Sequence, residues 1–219
     1  MMAGGCSVSL LWCATENVLL RSDGLVLDCW DWSWKRADGS VGNGARPVDA
    51  RTAFRRIARA TELRRVPVGV IGPRDASACQ TEAAEAVGRG LAELGLSVIC
   101  GGMGGVMSAA AKGAHSAGGL TIGLLPGHDW REANAHISIP IATGLSEARN
   151  MIIAKSAHAL IAVGDSHGTL SEIAYGLHFG KRIFGLAGAA QLEGIEQVAT
   201  TDDAVRRTAE VLLEAAPVK

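Results

Sequence analysis

Leu96-Ser97-Val98-Ile99-Cys100-Gly101-Gly102-Met103-Gly104-Gly105-Val106-Met107 is the stretch on which the fold turns. An apolar run of strand length breaks into four glycines around one methionine, and a helical pattern over 106–117 follows at once. The same order recurs on both sides of it. Residues 68–71 predict a strand, 78–94 a helix and 120–125 a strand. Further on, 137–142 reads as a strand, 146–156 as a helix and 159–163 as a strand, followed by a helix over 169–179, a strand over 182–186 and a closing helix over 202–215. Strands alternating with helices imply right-handed crossovers. The expectation is an α/β fold: a doubly wound, mostly parallel Rossmann-like sheet with helices on both faces.

The chain before this region has another texture. Residues 17–21, a Ser22-Asp23-Gly24 turn, 25–35 and an Ala37-Asp38-Gly39 turn predict a small β-meander. Within the second strand, Trp30, Trp32 and Trp34 alternate with Asp31 and Ser33, which would project three indoles from one face. Such a face packs on the protein body or a second subunit, or else forms a ligand-stacking platform. Residues 42–47 read as a linker and 48–63 as a basic amphipathic helix with Asp49 at its cap. The expected organisation is an N-terminal extension over 1–64 and a Rossmann-like domain over 65–219.

Composition excludes several classes. Of 219 residues, 48% are hydrophobic but only 4% aromatic, and 28 glycines suit close helix-on-sheet packing. Lys+Arg 21 against Asp+Glu 22 gives a net charge of -1 with no long basic run, against a nucleic-acid partner. Cys6, Cys13, Cys29, Cys79 and Cys100 are odd in number and scattered, as expected of reduced thiols in a cytoplasmic protein. His128, Asp129 and His136 lack metal-ligand spacing, so no metal is expected. No apolar run reaches the ~20 residues of a membrane span, and no basic segment precedes 8–14 as in a secretory signal.

In an open parallel sheet, ligands sit beyond the carboxyl ends of the strands, so the loops there carry the functional reading. Gly101, Gly102, Met103, Gly104 and Gly105 bring backbone amides close to a ligand ahead of a helix N-terminus, where phosphate is the natural guest. The dinucleotide fingerprint is not met: Met107 stands where its third glycine belongs, and 120–125 ends in Pro126-Gly127 without an acidic residue. A second loop, Gly164-Asp165-Ser166-His167-Gly168-Thr169-Leu170-Ser171-Glu172, has T-x-x-E spacing. One reading is a capping box that consumes Glu172; the other sets phosphate against the amides around Gly168 and Thr169, with Glu172 facing a sugar. Arg149 and Asn150 open a helix, and a cation there opposes the macrodipole unless an anion compensates it. After the first strand, Gly72-Pro73-Arg74-Asp75-Ala76-Ser77 offers Arg74 to a ligand and Ser77 or Asp75 as a cap.

Together, Pro67-Val68-Gly69-Val70-Ile71-Gly72, the glycine stretch 101–107, residues 118–126, Arg149-Asn150 and Gly168-Thr169-x-x-Glu172 resemble the LOG-like superfamily, nearest its molybdenum-cofactor-carrier-like branch. That superfamily includes cytokinin-activating phosphoribohydrolases and proteins once labelled lysine decarboxylases. The resemblance covers about 67–214. It implies no required cofactor, a molybdopterin-type or nucleotide ligand, and a homodimer or higher homo-oligomer. The phosphoribohydrolase motif P-G-G-x-G-T-x-x-E matches at Gly168, Thr169 and Glu172, with Arg149 as the upstream arginine. Its P-G-G portion is replaced by Val163-Gly164-Asp165, and the Asp165 charge stands against anion binding there. Neither Lys112 nor Lys155 has the surroundings of a Schiff-base lysine.

Three readings follow. A carrier or sensor of a phosphorylated nucleotide-like or pterin-like molecule needs only the loops. Hydrolysis of a nucleoside 5′-monophosphate adds Glu172 and Arg149 as catalytic groups. An interaction protein built on the tryptophan face would bind no small molecule.

Overall fold

The computed structural model describes residues 8–37, 42–60 and 63–219; Cys6 and most of the Ala37-Asp38-Gly39 turn lie outside the described residues. The chain forms two compact units, Met1–Arg64 with Leu213–Lys219, and Arg65–Leu212.

The first unit is an antiparallel sheet with one helix. Its strands are β1 (Leu10–Cys13), β2 (Val18–Arg21), β3 (Leu25–Asp28), β4 (Ser33–Arg36) and β5 (Arg46–Pro47), in the order β4-β3-β2-β1-β5. Helix α1 (Ala50–Ala60) buries Ala53, Phe54 and Ile57. The reading of 42–47 as a linker therefore missed β5, whose two residues pair with Leu11 and Trp12. Nor is 25–35 one strand. The Asp28 carboxylate accepts the amides of Trp30 (2.9 Å) and Asp31 (2.8 Å), which turns the chain before β4. Those bonds, with Lys35 at 2.6 Å, hold the Asp28 carboxyl down at about 2. The indole platform is thereby broken up. Trp30 is exposed, Trp32 sits at φ 49° and stacks on Phe54, and Trp34 is fully buried with its Nε1 donating to the Leu213 carbonyl. The tail adds Val218 beside Trp34, covering the outer edge of β4.

The second unit carries β6 (Pro67–Ile71), α2 (Ala78–Glu93), β7 (Ser97–Cys100), α3 (Val106–Ser116), β8 (Thr121–Leu125) and β9 (Ile139–Ala142). It continues through α4 (Arg149–Ser156), β10 (Ala159–Val163), α5 (His167–His178), β11 (Arg182–Leu186), β12 (Ile195–Gln197) and α6, which begins at Thr201. The seven strands are all parallel, in the order β12-β11-β10-β6-β7-β8-β9. This is the doubly wound Rossmann-like sheet that the alternation of elements predicts, with one strand more, since β12 carries too short an apolar signal to read from sequence. Gly88 of α2 lies against the Ala110 backbone of α3 and Gly113 against that of Glu85, so glycine lets these helices touch backbone to backbone. The apolar layer between the sheet and α4 and α5 is built from Ile71, Ile99, Leu124, Ile153, Leu160 and Ile173. Among the described residues no helix is long and apolar enough to cross a membrane.

Candidate functional site

The chain runs outward from β6 to β7, β8 and β9, then returns to place β10 on the other side of β6. The sheet therefore has its topological switch between β6 and β10, the place where a doubly wound fold leaves a crevice. The loops leaving β6, β7 and β10 contain Gly72, Gly101 and Gly164, so the glycine-rich turns singled out in the sequence sit on adjacent strands.

Arg149 lies between the turn after β7 and the start of α5. A short 3-10 turn, Ser146–Ala148, delivers it as the first residue of α4, whose start has no side-chain cap. Its guanidinium lies flat against Gly101, where a Cβ would stand 2.5 Å from Nη2 and 2.7 Å from Nη1. Glycine at 101 is what makes room for the cation. Nη1 donates to Asn150 Oδ1 at 2.6 Å and reaches Glu172 Oε1 only at 3.5 Å. Nε is buried and has no hydrogen-bond partner among the described residues. Asn150 in turn donates to Ser171 Oγ at 2.8 Å and to the Gly168 carbonyl at 3.5 Å, which fixes α4 against the start of α5.

Glu172 is 6% exposed. Burial pushes its carboxyl up to about 8 against the opposing pull of Arg149. Burial also depresses Arg149, Glu172 opposes that shift, and the nearby charge of Arg74 adds to it. Two cations thus share a wall whose carboxyl group favours its neutral form at pH 7. Cys100 beneath the glycine turn is fully buried, its thiol pushed up to about 11 chiefly by burial, and its Sγ accepts the Gly102 amide at 3.4 Å.

Some predicted contacts are occupied internally. The Gly102 amide is held by Cys100, and the Val106 amide by the Pro73 carbonyl. Gly105, at φ 62°, lies so close to the Pro73 and Arg74 carbonyls that a side chain would collide with them. The amides of Met103, Gly104 and Gly105 donate to no described residue. In the second loop, Ser166 caps α5 by accepting the Thr169 amide at 3.1 Å, and its hydroxyl meets Thr169 Oγ1 at 2.9 Å. The capping box expected from Thr169 and Glu172 is therefore not formed. The helix begins two residues earlier, at His167, and Glu172 lies beyond its first turn, free of the backbone. Thr169 is buried in the cap, leaving the amides of His167 and Gly168 as the first-turn donors.

Ser77 caps α2 in a capping box with Gln80, so its hydroxyl is engaged there, while Arg74 is exposed with its Cγ near Gly104. Gly72 is wedged between the Val163 carbonyl and Val106. Sequence reasoning missed Asn134, whose Nδ2 donates to the carbonyls of Gly102 (3.0 Å) and Met103 (2.9 Å). By holding those carbonyls back it turns the amide side of the loop outward. Nothing periodic marks an asparagine inside 126–136, so no sequence signal identified it. Among the described residues no group of three or more His, Cys, Asp or Glu is placed to hold a metal ion.

Comparison with known proteins bears on this unit. The model of the SLOG cluster4 family matches residues 65–217. A molybdenum cofactor binding protein from the phototrophic bacterium Rippkaea orientalis superposes with TM-score 0.65 at 30% identity, over 69% of this chain and 99% of that one. A Moco carrier protein from Chlamydomonas reinhardtii gives TM-score 0.64 at 34% identity, over 69% and 99%. An uncharacterized protein of Archaeoglobus fulgidus is 42% identical over 143 residues, 65% of this chain and 94% of its own.

Proposed function

The chain belongs to the SLOG cluster4 family, and from that premise we propose that its second unit binds a phosphorylated small molecule of molybdopterin or nucleotide type, as a carrier or sensor, in the crevice between β6 and β10. The observation that carries the proposal is Arg149. It is a buried guanidinium with an unpartnered Nε, beside a carboxyl that burial holds toward neutrality and near a second cation, Arg74. An uncompensated buried charge is costly, and an anionic ligand group completes it.

The residues suit a phosphate. Arg149 supplies a charged fork, Met103, Gly104 and Gly105 supply amides, and the first turn of α5 at His167 and Gly168 supplies the positive end of a helix dipole. Asp165 is exposed at the rim. A molybdopterin-type ligand would place its phosphate on these donors; the chemistry of its metal would be the ligand's own. The likeness to proteins named for carrying or binding the molybdenum cofactor supports this ligand class. Assembly as a homodimer or larger homo-oligomer belongs to the same proposal, with exposed Ile139 and Ile141 of edge strand β9, Met151 and Tyr175 as apolar surface for it.

The test is retention. The full chain is mixed with molybdopterin cofactor released from a molybdoenzyme, desalted, and assayed for molybdenum and oxidised-pterin fluorescence; AMP is titrated in parallel by calorimetry. Stoichiometric retention or saturable AMP binding, lost in Arg149→Met, is the expected result. Binding by neither ligand ends the proposal.

A second reading, cleavage of the N-glycosidic bond of a nucleoside 5′-monophosphate, is favoured by the Arg149–Glu172 pair in the same wall. Glu172 as carboxylate would stabilise positive charge developing on the ribose while Arg149 orients it. Since Glu172 is raised to about 8, release of free base from AMP should increase as pH rises toward that value and vanish in Glu172→Gln. Release that survives the substitution sinks this reading.

A further inference from the structure

The first unit contains a cleft of about 800 Å³ that the proposal above does not use. Its described wall includes Trp12, Asn17, Arg46, Arg56 and Arg59, and no acidic residue. Arg46 comes from β5, directly across the ladder from Trp12 of β1. Arg56 and Arg59 come from α1, three residues apart and so neighbours on the helix surface. Three guanidinium groups from two elements therefore surround one hollow, over a buried tryptophan.

Several other cations of the unit are held by carboxylates. Arg21 pairs with Asp23 at 2.6 Å, Lys35 with Asp28 at 2.6 Å, and Lys219 with Asp31 at 3.3 Å. Arg46 and Arg59 pair with no described carboxylate, and Arg56 is held 5.9 Å above the Trp12 ring instead. Helix α1, Ala50–Ala60, contains no acidic residue within its span, so no carboxylate on the helix itself lies beside Arg56 or Arg59. Like charges held around a common cleft repel one another, and an anion placed among them relieves that repulsion.

We propose that this cleft is a second anion-binding site, which takes the diphosphate or triphosphate group of a small molecule. The volume falls within the ~300–1,000 Å³ usual for small-molecule sites. Forked planar donors match phosphate oxygens two at a time, and three of them suit a group carrying two to three negative charges better than a single carboxylate. The cation–π contact fixes Arg56 in advance, so part of the ordering that binding requires is already done. The site is independent of Arg149, and neither assignment depends on the other.

The experiment is calorimetric titration of the full chain with sodium tripolyphosphate at low salt, in the wild type and in Arg149→Met, which silences the other site. One saturable site should persist in Arg149→Met, weaken as salt is raised, and fall about 100-fold in Arg46→Gln/Arg59→Gln, since each exchanged charge-assisted contact is worth about tenfold. Both side chains are exposed, so the far-ultraviolet spectrum should not change. Should that pair unfold, the single Arg59→Gln serves with an expected loss of about tenfold. Three results overturn the assignment: no saturable binding, binding lost in Arg149→Met but not in the arginine pair, or displacement of tripolyphosphate by a much tighter single-stranded oligonucleotide, which would make the cleft a nucleic-acid groove.

Discussion

Glu172→Gln is the sharpest perturbation of the second unit, because it removes a titrating group and keeps its shape. In the folded chain the carboxyl is raised from its ordinary 4.5 to about 8, chiefly by burial. Between those values the folded state keeps a proton that the unfolded chain has released. The stability this contributes is fully present below pH 4.5 and is lost as pH rises through about 8. At about 1.4 kcal/mol per pH unit, the rise from pH 5 to pH 7.5 should cost the wild type about 3 kcal/mol that the glutamine variant does not lose. Every other titrating group, including His158, which burial depresses, is common to both proteins and cancels in the difference. Urea unfolding of both proteins at pH 5, 6, 7 and 8 measures it. A difference that stays constant within about 1 kcal/mol across that range would refute the claim that Glu172 is neutral in the ligand-free protein.

Arg149→Met should leave the free protein as stable or up to about 2 kcal/mol more stable, because a buried cation without full compensation is removed, while ligand affinity falls about 100-fold or more. A loss of stability above about 3 kcal/mol would mean that Glu172 compensates the arginine fully. Gly101→Ala puts a methyl group where the guanidinium lies; the far end of that side chain can move, so the urea midpoint should shift little while affinity falls at least about tenfold. Gly88→Ala meets the rigid backbone of Ala110 instead, and should lower stability by about 2–3 kcal/mol without a comparable change in affinity for the folded protein. Finally, an anion beside Glu172 raises its carboxyl further, so binding near pH 8 should take up protons; calorimetry in buffers of different ionisation enthalpy reads that uptake, and zero uptake contradicts the juxtaposition.

The second unit was legible because its signals are local and repeated. A buried parallel strand is an unbroken apolar run, and the runs over 159–163 and 182–186 coincide with β10 and β11. The strand β12, three residues with Glu196 at its centre, carries no such run and takes its place by pairing with β11. The signals of the first unit are less direct. Its meander was visible, but the alternation of Trp30, Trp32 and Trp34 imitated a strand where Asp28 captures two amides and turns the chain. Pattern reports periodicity; it does not report a side chain that outcompetes a neighbouring strand for backbone hydrogen bonds.

The same limit governs the site. Glycines and an arginine at a helix start are legible, because both violate what a structural role would choose. The role of T-x-x-E is not, since Ser166 and Thr169, three residues apart, are both acceptable caps, and only tertiary packing selects Ser166. That selection has a consequence for chemistry. Had Thr169 capped the helix, Glu172 would have served the backbone amides as a carboxylate and kept a full negative charge beside the crevice. With Ser166 as the cap, Glu172 is left buried beside the arginine, with its charge suppressed by burial. The positive charge of the crevice is then maintained by the position of one helix start, and that charge is what an incoming phosphate would meet.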